Sequence, residues 1–451
     1  MDRIEEKICQ IIDSKKDEIM AFGRDIFCHA ELGYKEHRTS QKFVEEMEKL
    51  GLTCETGLAI TGVKSYLKPK GSQEGPTLAV IGEMDALPIP NHPDAWSETG
   101  ASHCCGHNAQ LTGVVGAAMA LCDPEVAQAM GGNLCFMAVP AEEFVDIEFK
   151  SQMMKEGKLG YGGGKCELIR LGAFDDIQIA LGHHTFPGAD YGIYNSSSNG
   201  FVNKTVTFQG RSSHAADAPH EGIDALNAAT SAMVNIALQQ ESFRDEDTVR
   251  VHGFISGGGT AVNVIADHVT MQYSVRGKTP EAYLDAAKKV DRSLKAAAMA
   301  TGCGVTIETM AGYMSGVVNP DTQVLESVLQ DLDAMGPYHH RRDMLTHATG
   351  SDDFGDVATL MPLVHFCTGG YVGNLHNPDV RVEDEYLAYV VTAKIFALTA
   401  YRLMKNGAEK AKENIEHYKA PMTKEEYLAF MDGMQRTETI DPEPLPIVGK
   451  E

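Results

Sequence analysis

The sequence predicts an α/β protein on a largely parallel sheet, with a second, smaller α+β domain. Three observations predict this. Apolar runs of strand length alternate with helix-like segments between Thr77 and Leu181. The texture changes at a polar linker, Asn195-Ser196-Ser197-Ser198-Asn199-Gly200, after which one strand alternates cleanly. A chain of 451 residues also exceeds one ordinary core, so two domains are the default.

Residues 4–50 have helical periodicity, interrupted near Cys28-His29-Ala30-Glu31-Leu32-Gly33, and Ser40 to Leu50 reads as an amphipathic helix stopped by Gly51. Thr77–Ile81, Asn133–Val139 and Ile177–Leu181 read as strands, with a helix at Ala109–Cys122. Beyond the linker, Val202–Gln209, Val249–Ile255, His268–Arg276 and Val305–Met310 read as strands, and Ile223–Gln240 and Glu281–Thr301 as helices. Two helices on a small antiparallel sheet make the α+β domain, expected over 196–311. The larger domain then comprises 1–195 and 312–451, with helices at Asp321–Ala334 and Glu383–Leu403. The last 40 or so residues are polar and acidic and carry no chemical signal.

A net charge of −24 repels nucleic acid and anionic membrane surfaces, so neither is expected as a partner. No apolar run reaches the roughly 20 residues that span a bilayer. The charged start, Met1-Asp2-Arg3-Ile4-Glu5-Glu6-Lys7, lacks the apolar core of a signal peptide. Ten cysteines without disulfide-framework spacing suit a reducing compartment, so a cytoplasmic location is expected.

The stretch that organises the chemistry is Ser102-His103-Cys104-Cys105-Gly106-His107-Asn108. Thiolate and imidazole are ligands for borderline-soft divalent ions, which makes Cys105 and His107 candidates. A dinuclear site needs roughly five protein ligands. Glu143, His184 and His376 are the further candidates, and Glu142 beside Glu143 could hold an attacking water. Glu83 and Asp85, Glu142 and Glu143, and His183 and His184 each follow an expected strand, where ligands bind in open α/β sheets.

These motifs resemble the metal-dependent amidohydrolases that include aminoacylases, hippurate hydrolases, carboxypeptidase G and the aminobenzoyl-glutamate hydrolases. The resemblance runs from about His29 to about Glu383. It is carried by His29-Ala30-Glu31-Leu32-Gly33, Met84-Asp85-Ala86-Leu87-Pro88, Cys105-Gly106-His107-Asn108, Pro140-Ala141-Glu142-Glu143 and Gly210-Arg211-Ser212-Ser213-His214-Ala215-Ala216. Asn263-Val264-Ile265 with Arg276, Ser351-Asp352-Asp353-Phe354 and Leu375-His376-Asn377-Pro378 complete it. Gly163-Gly164-Lys165 and Gly172-Ala173-Phe174-Asp175-Asp176 look most like the aminobenzoyl-glutamate hydrolase branch.

The resemblance implies a zinc-peptidase-like catalytic domain and an inserted ferredoxin-like domain that serves as dimerisation surface and lid. It implies that Cys105, His107, Glu143, His184 and His376 hold two divalent ions (zinc, manganese or cobalt). It makes Glu142 the general acid/base and Asp85 the support of a ligand imidazole. His214 would stabilise the oxyanion in a partner subunit of a homodimer, and Asn263 and Arg276 would grip the substrate near its carboxylate. The implied activity is hydrolysis of the amide bond in an N-acyl or N-aroyl amino acid or small dipeptide. The rival is a non-catalytic metal- or ligand-binding relative, against which the retained Glu142 speaks. A zinc nucleobase deaminase is excluded by the lack of a His-x-Glu with Pro-Cys-x-x-Cys.

The pattern departs in places. Asn108 and Gln110 stand where many relatives have Asp and His, and Phe144 stands where Gly is usual. The segments 144–165 and Asn91-His92-Pro93-Asp94-Ala95-Trp96 lengthen the surroundings of the pocket. Cys104 could replace Cys105 as ligand. Gly160-Tyr161-Gly162-Gly163-Gly164-Lys165-Cys166 reads as a flexible turn rather than a phosphate loop, and His339-His340-Arg341-Arg342 as an exposed loop.

Overall fold

The structure, a computed structural model, describes residues 1–68, 71, 74–341 and 346–443. The chain forms two compact units. The first comprises Met1–Ser197, Gly316–His347 and Asp352–Lys424; the second comprises Ser198–Ser315, Ala348–Ser351 and the chain from Glu425 onward.

Four strands, Asn133–Val139, Thr77–Glu83, Ile179–Pro187 and Leu363–Val372, lie side by side and parallel at the centre of the first unit's sheet. All seven residues of Asn133–Val139 are buried, as a strand covered on both faces requires. The antiparallel pair Cys54–Leu58 and Gly62–Tyr66 extends one side, and Tyr191–Ile193 extends the other. Helix His107–Leu121 is buried almost all round. A Cβ on Gly113 would stand 2.6 Å from the Thr392 side chain and one on Gly116 2.7 Å from Ala393, so these glycines let two helices approach closely. The second of these helices lies in the segment Tyr386–His417. Among the described residues this is the one helix long and apolar enough to cross a membrane, and its apolar stretch is wholly buried.

The second unit is a five-stranded antiparallel sheet, in the order Arg436–Ile440, Gly304–Ala311, Gly200–Gln209, His268–Gly277 and Arg250–Gly258. Helices Ala225–Ala237 and Pro280–Thr301 accompany it. Val269, Met271, Tyr273 and Val275 are buried on one face, which leaves Arg276 on the alternate one. The longer helix starts at a Thr279 cap with Pro280 in its first turn and stops at Gly302, whose φ of 73° suits a residue without Cβ.

Four expectations change. Leu363–Val372 is a central strand that sequence patterning did not identify. Its ten residues contain Gly369-Gly370 and are buried on both faces, so it has no period-2 alternation. The third expected strand runs on to Pro187, so His183 and His184 lie within it rather than after it. The polar, acidic C-terminal region, expected to be helical in places and part of the larger domain, also supplies a strand to the second unit: Arg436–Ile440 pairs with Gly304–Ala311, and Arg436 ion-pairs with Asp291 at 2.7 Å. Finally, His340 is half-buried, bonded to Asp333 and paired with Tyr191, not a free loop residue; Arg342 lies outside the described residues.

Candidate metal centre

Cys105 and His107 are placed by a tight entry into helix His107–Leu121. Gly106 before it has φ 83°, and a Cβ there would lie 2.6 Å from the Thr185 side chain, so only glycine fits the corner. The ligand atoms of Cys105, His107 and Glu143 all lie within 4.8 Å of one another, and all three residues are buried. Cys105 Sγ is 3.8 Å from His184 Nε2, and His376 Nε2 is 3.2 Å from Glu143 Oε1. The five expected ligands, remote in sequence, are therefore linked by direct contacts. Cys104 Sγ instead faces Ser102 Oγ at 3.5 Å, so Cys105 rather than Cys104 joins the set.

Asp85 holds this arrangement from behind. Its Oδ1 is 3.1 Å and its carbonyl oxygen 2.9 Å from His107 Nδ1, while Oδ2 accepts the Glu143 N–H at 2.8 Å. With Nδ1 committed, His107 Nε2 is the nitrogen left for a ligand, and it makes no hydrogen bond although it is fully buried. An orphaned buried imidazole nitrogen among a thiol and carboxylates fits a divalent cation. His184 is oriented similarly: Nδ1 faces the Thr185 carbonyl at 2.7 Å and the ring stacks on Tyr194 at 5.7 Å.

Electrostatics point the same way. Burial alone would push the His107 pKa down, yet Glu83, Asp85 and Glu143 raise it to about 10. The pocket thus favours a cation strongly. Burial, Glu143, Glu142 and Glu83 hold the Cys105 thiol well above its usual range, a bias that a coordinated cation reverses. Burial would raise Glu143, but His376 and His107 bring it below its usual value. Glu142, 3.7 Å from His107 Nε2, is pushed well up by burial, Glu83 and Glu143. Two adjacent carboxylates with opposite biases suit a ligand beside a proton carrier.

Glu83 stood among the acids expected after the first strand but was not assigned a role. It lies 3.2 Å from His107 Nε2 and, with His107 and Glu142, forms a second group of possible ligands. Its oxygens are already engaged, one by the Lys165 ammonium and the other by Gln110 Nε2 at 2.6 Å. It therefore serves as a fixed charge facing His107 Nε2 rather than as a free ligand. Lys165 also pairs with Asp353 and is fully buried at the start of helix Gly164–Arg170, which corrects its reading as part of a flexible turn. Its position just after three glycines concealed it; the acids at 83 and 353 were the available signal. Asn108 is likewise explained: its amide donates to Tyr389 Oη at 3.0 Å and accepts from Tyr371 Oη at 2.9 Å, which a carboxylate could not do.

Sequence reasoning also missed Glu36. Fully buried, it accepts hydrogen bonds from Ala141 N at 2.8 Å and Thr61 Oγ1 at 2.7 Å, just ahead of the Glu142-Glu143 pair. Burial and the nearby Asp85 raise its pKa to about 8. Between about pH 4.5 and 8 the folded state therefore binds a proton the unfolded chain lacks, so stability falls as pH rises through this window. Glu36→Gln keeps the shape without the charge. It should flatten that slope and raise Tm at pH 8 by about 2–5 °C, read by thermal melts from pH 4.5 to 8.5. An unchanged slope would show that Glu36 does not carry it.

Three expected site residues lie in the second unit. His214 and Asn263 are brought together: Ala215 N donates to the Asn263 carbonyl at 3.0 Å, and both side chains are exposed. His214 Nδ1 accepts from Ala216 N at 3.2 Å and Asp217 N at 3.0 Å, which leaves an Nε2–H as its outward donor. Arg276 is half-buried, with its guanidinium 5.1 Å from the Phe201 ring centre.

A mostly parallel α/β unit with this donor set at its strand ends, joined to a small α+β unit, defines the class: the protein is a metal-dependent hydrolase of the amidohydrolase and metallopeptidase type. Residues 197–301 match the peptidase dimerisation domain. The chain is homologous to the Xaa-Arg dipeptidase of Mus musculus, 28% identical over 81% of this chain and 79% of the relative. It is also homologous to IAA-amino acid hydrolase ILR1-like 4 of Arabidopsis thaliana, 26% identical over 86% of each. Its fold is that of a dinuclear metal-binding peptidase of the M20 family from Bacillus subtilis, at TM-score 0.62, 22% identity, and coverage of 87% of this chain and 99% of that one. It matches aminobenzoyl-glutamate utilization protein from Klebsiella pneumoniae at TM-score 0.63 and 17% identity, over 88% and 99%.

Proposed function

We propose that this protein hydrolyses the amide bond of an N-acyl or N-aroyl amino acid or a small dipeptide. The observation that carries the reading is the cluster of Cys105, His107 and Glu143 with the Glu142 carboxylate alongside. The relatives named for dipeptides and amino-acid conjugates support the substrate class. Cys105, His107, Glu143, His184 and His376 would hold two divalent ions, with zinc, manganese and cobalt all compatible with sulfur, nitrogen and oxygen donors. When bound, such ions lower the pKa of water and polarise the amide carbonyl.

The chain's own residues do the rest. Glu142 takes a proton from the attacking water and delivers it to the departing amine, which its raised proton affinity favours. Asp85 keeps the His107 ring turned with Nε2 forward. His214 donates its Nε2–H to the oxyanion formed in the site of a second copy, and Asn263 and Arg276 hold the substrate carboxylate. The second copy pairs through the smaller unit, where Leu226, Met233 and Val234 on helix Ala225–Ala237, Leu238 just after it, and Phe254 and Ile255 on the outer strand are exposed. The working compartment is the cytoplasm, in keeping with cysteines that are all free.

The test is a panel of acyl-amino acids, aroyl-amino acids and dipeptides assayed with zinc, manganese and cobalt in turn. Metal-dependent release of free amine is expected from at least one class. No release from any member with any metal would leave a binding protein of the same fold.

A further inference from the structure

The segment between Phe144 and Lys165 contains the helix Ile147–Lys155, which has an unusual burial pattern. A surface helix normally buries an apolar stripe. Here the one fully buried residue is a lysine, Lys150, at 1% exposure. Its ammonium donates to the Glu143 carbonyl oxygen at 2.7 Å. It also lies 4.7 Å from the Phe144 ring centre and 5.7 Å from that of Tyr34. Among the described residues no carboxylate forms an ion pair with it. A buried, desolvated ammonium on a main-chain carbonyl is too unfavourable to be incidental packing.

The helix is fastened so that Lys150 stays there. Asp146, in the left-handed region at φ 53°, begins the turn and ion-pairs with Lys35 at 2.7 Å, and the Lys35 ammonium sits 4.2 Å from the Phe149 ring centre. The target is equally well defined. Glu36 holds Ala141 N, Asp85 holds Glu143 N, and Lys150 holds Glu143 O. Ala141 itself has φ 52° and lies against Gly33, where a Cβ would come within 2.9 Å. Three polar groups from three parts of the chain thus grip the short main-chain stretch from which the Glu142 and Glu143 side chains project.

We propose that Lys150 is a positioning residue for this carboxylate pair: by holding the Glu143 carbonyl inside an aromatic cage it fixes the directions in which the two side chains leave the main chain. This rests on the reading of Glu142 as proton carrier and Glu143 as metal ligand. The segment 144–165 is then part of the site's support rather than a surface elaboration. The Lys150 charge also faces Asp85, Glu36, Glu142 and Glu143, offsetting the negative charge gathered there.

The experiment compares wild type, Lys150→Met and Lys150→Arg, each loaded with cobalt(II), for kcat, KM, the visible cobalt absorption and circular dichroism. Lys150→Met should fold, lose about 10–100-fold in kcat with KM changed less than about 3-fold, and shift the cobalt band. Lys150→Arg, which keeps charge and donor, should recover a large part of both. A packing role alone would leave the cobalt band in place. Wild-type kcat and an unshifted band in Lys150→Met would overturn the proposal. If Lys150→Met does not fold, Lys150→Gln takes its place: a lowered kcat with a shifted band supports the proposal, and wild-type kcat with an unshifted band overturns it. A wild type that neither binds cobalt nor releases amine would refute the underlying hydrolase reading instead.

Discussion

On the proposed function, Glu142→Gln should cut kcat by about 10³–10⁴-fold while the metal content stays that of wild type. The amide keeps the size of the side chain and its place 3.7 Å from His107 Nε2 but cannot accept a proton from water. The variant should also be no less stable than wild type. Glu142 is buried near Glu83, Glu143 and Asp353, all of which disfavour its charge, so a neutral amide removes repulsion without opening a cavity. Activity, metal content and Tm together decide the matter. Turnover within 10-fold of wild type would take the proton-carrier role away from Glu142, and loss of metal would make it a ligand instead.

The second large effect is expected at His376. Its side chain is 53% exposed, so removing it disturbs little packing, unlike His107. Its φ of 64° lies where asparagine is the least strained replacement with a Cβ. His376→Asn should fold with an unchanged Tm, bind one of its two ions at least about 100-fold more weakly, and lose nearly all activity at limiting metal. Metal analysis after dialysis and a titration with zinc give the readout. Two tightly held ions in this variant would remove His376 from the ligand set and leave its 3.2 Å approach to the buried Glu143 as an ion pair only.

The candidate site was legible in sequence where donors sit in short motifs beside recognisable strands. Cys105, His107, Glu142 and Glu143 follow from local text, because thiol, imidazole and paired carboxylates at strand ends are chemically conspicuous. The supporting groups were not. Lys165 follows glycines that imitate a turn, and Glu36 and Lys150 sit in helical or turn segments whose polar residues are ordinarily solvated. Only the tertiary fold shows that Lys165 is buried against Glu83 and Asp353, Glu36 against Ala141 and Thr61, and Lys150 against the Glu143 carbonyl. The fold was read in the same uneven way. Asn133–Val139 was found with its observed limits because it is a continuous apolar run. Leu363–Val372 was not, since paired glycines interrupt its pattern, although it completes the parallel centre of the sheet.

The strand Arg436–Ile440 carries a consequence for assembly. A sheet with both borders free can take up neighbours in either direction and grow into a fibre. Here one border is a short strand from the chain's own tail that carries Arg436 and Glu438, a charged edge of the kind that resists pairing, and Arg250–Gly258 is the other outermost strand. Cutting the chain before Arg436 would make the longer strand Gly304–Ala311 the border and expose its backbone donors and acceptors to unwanted pairing.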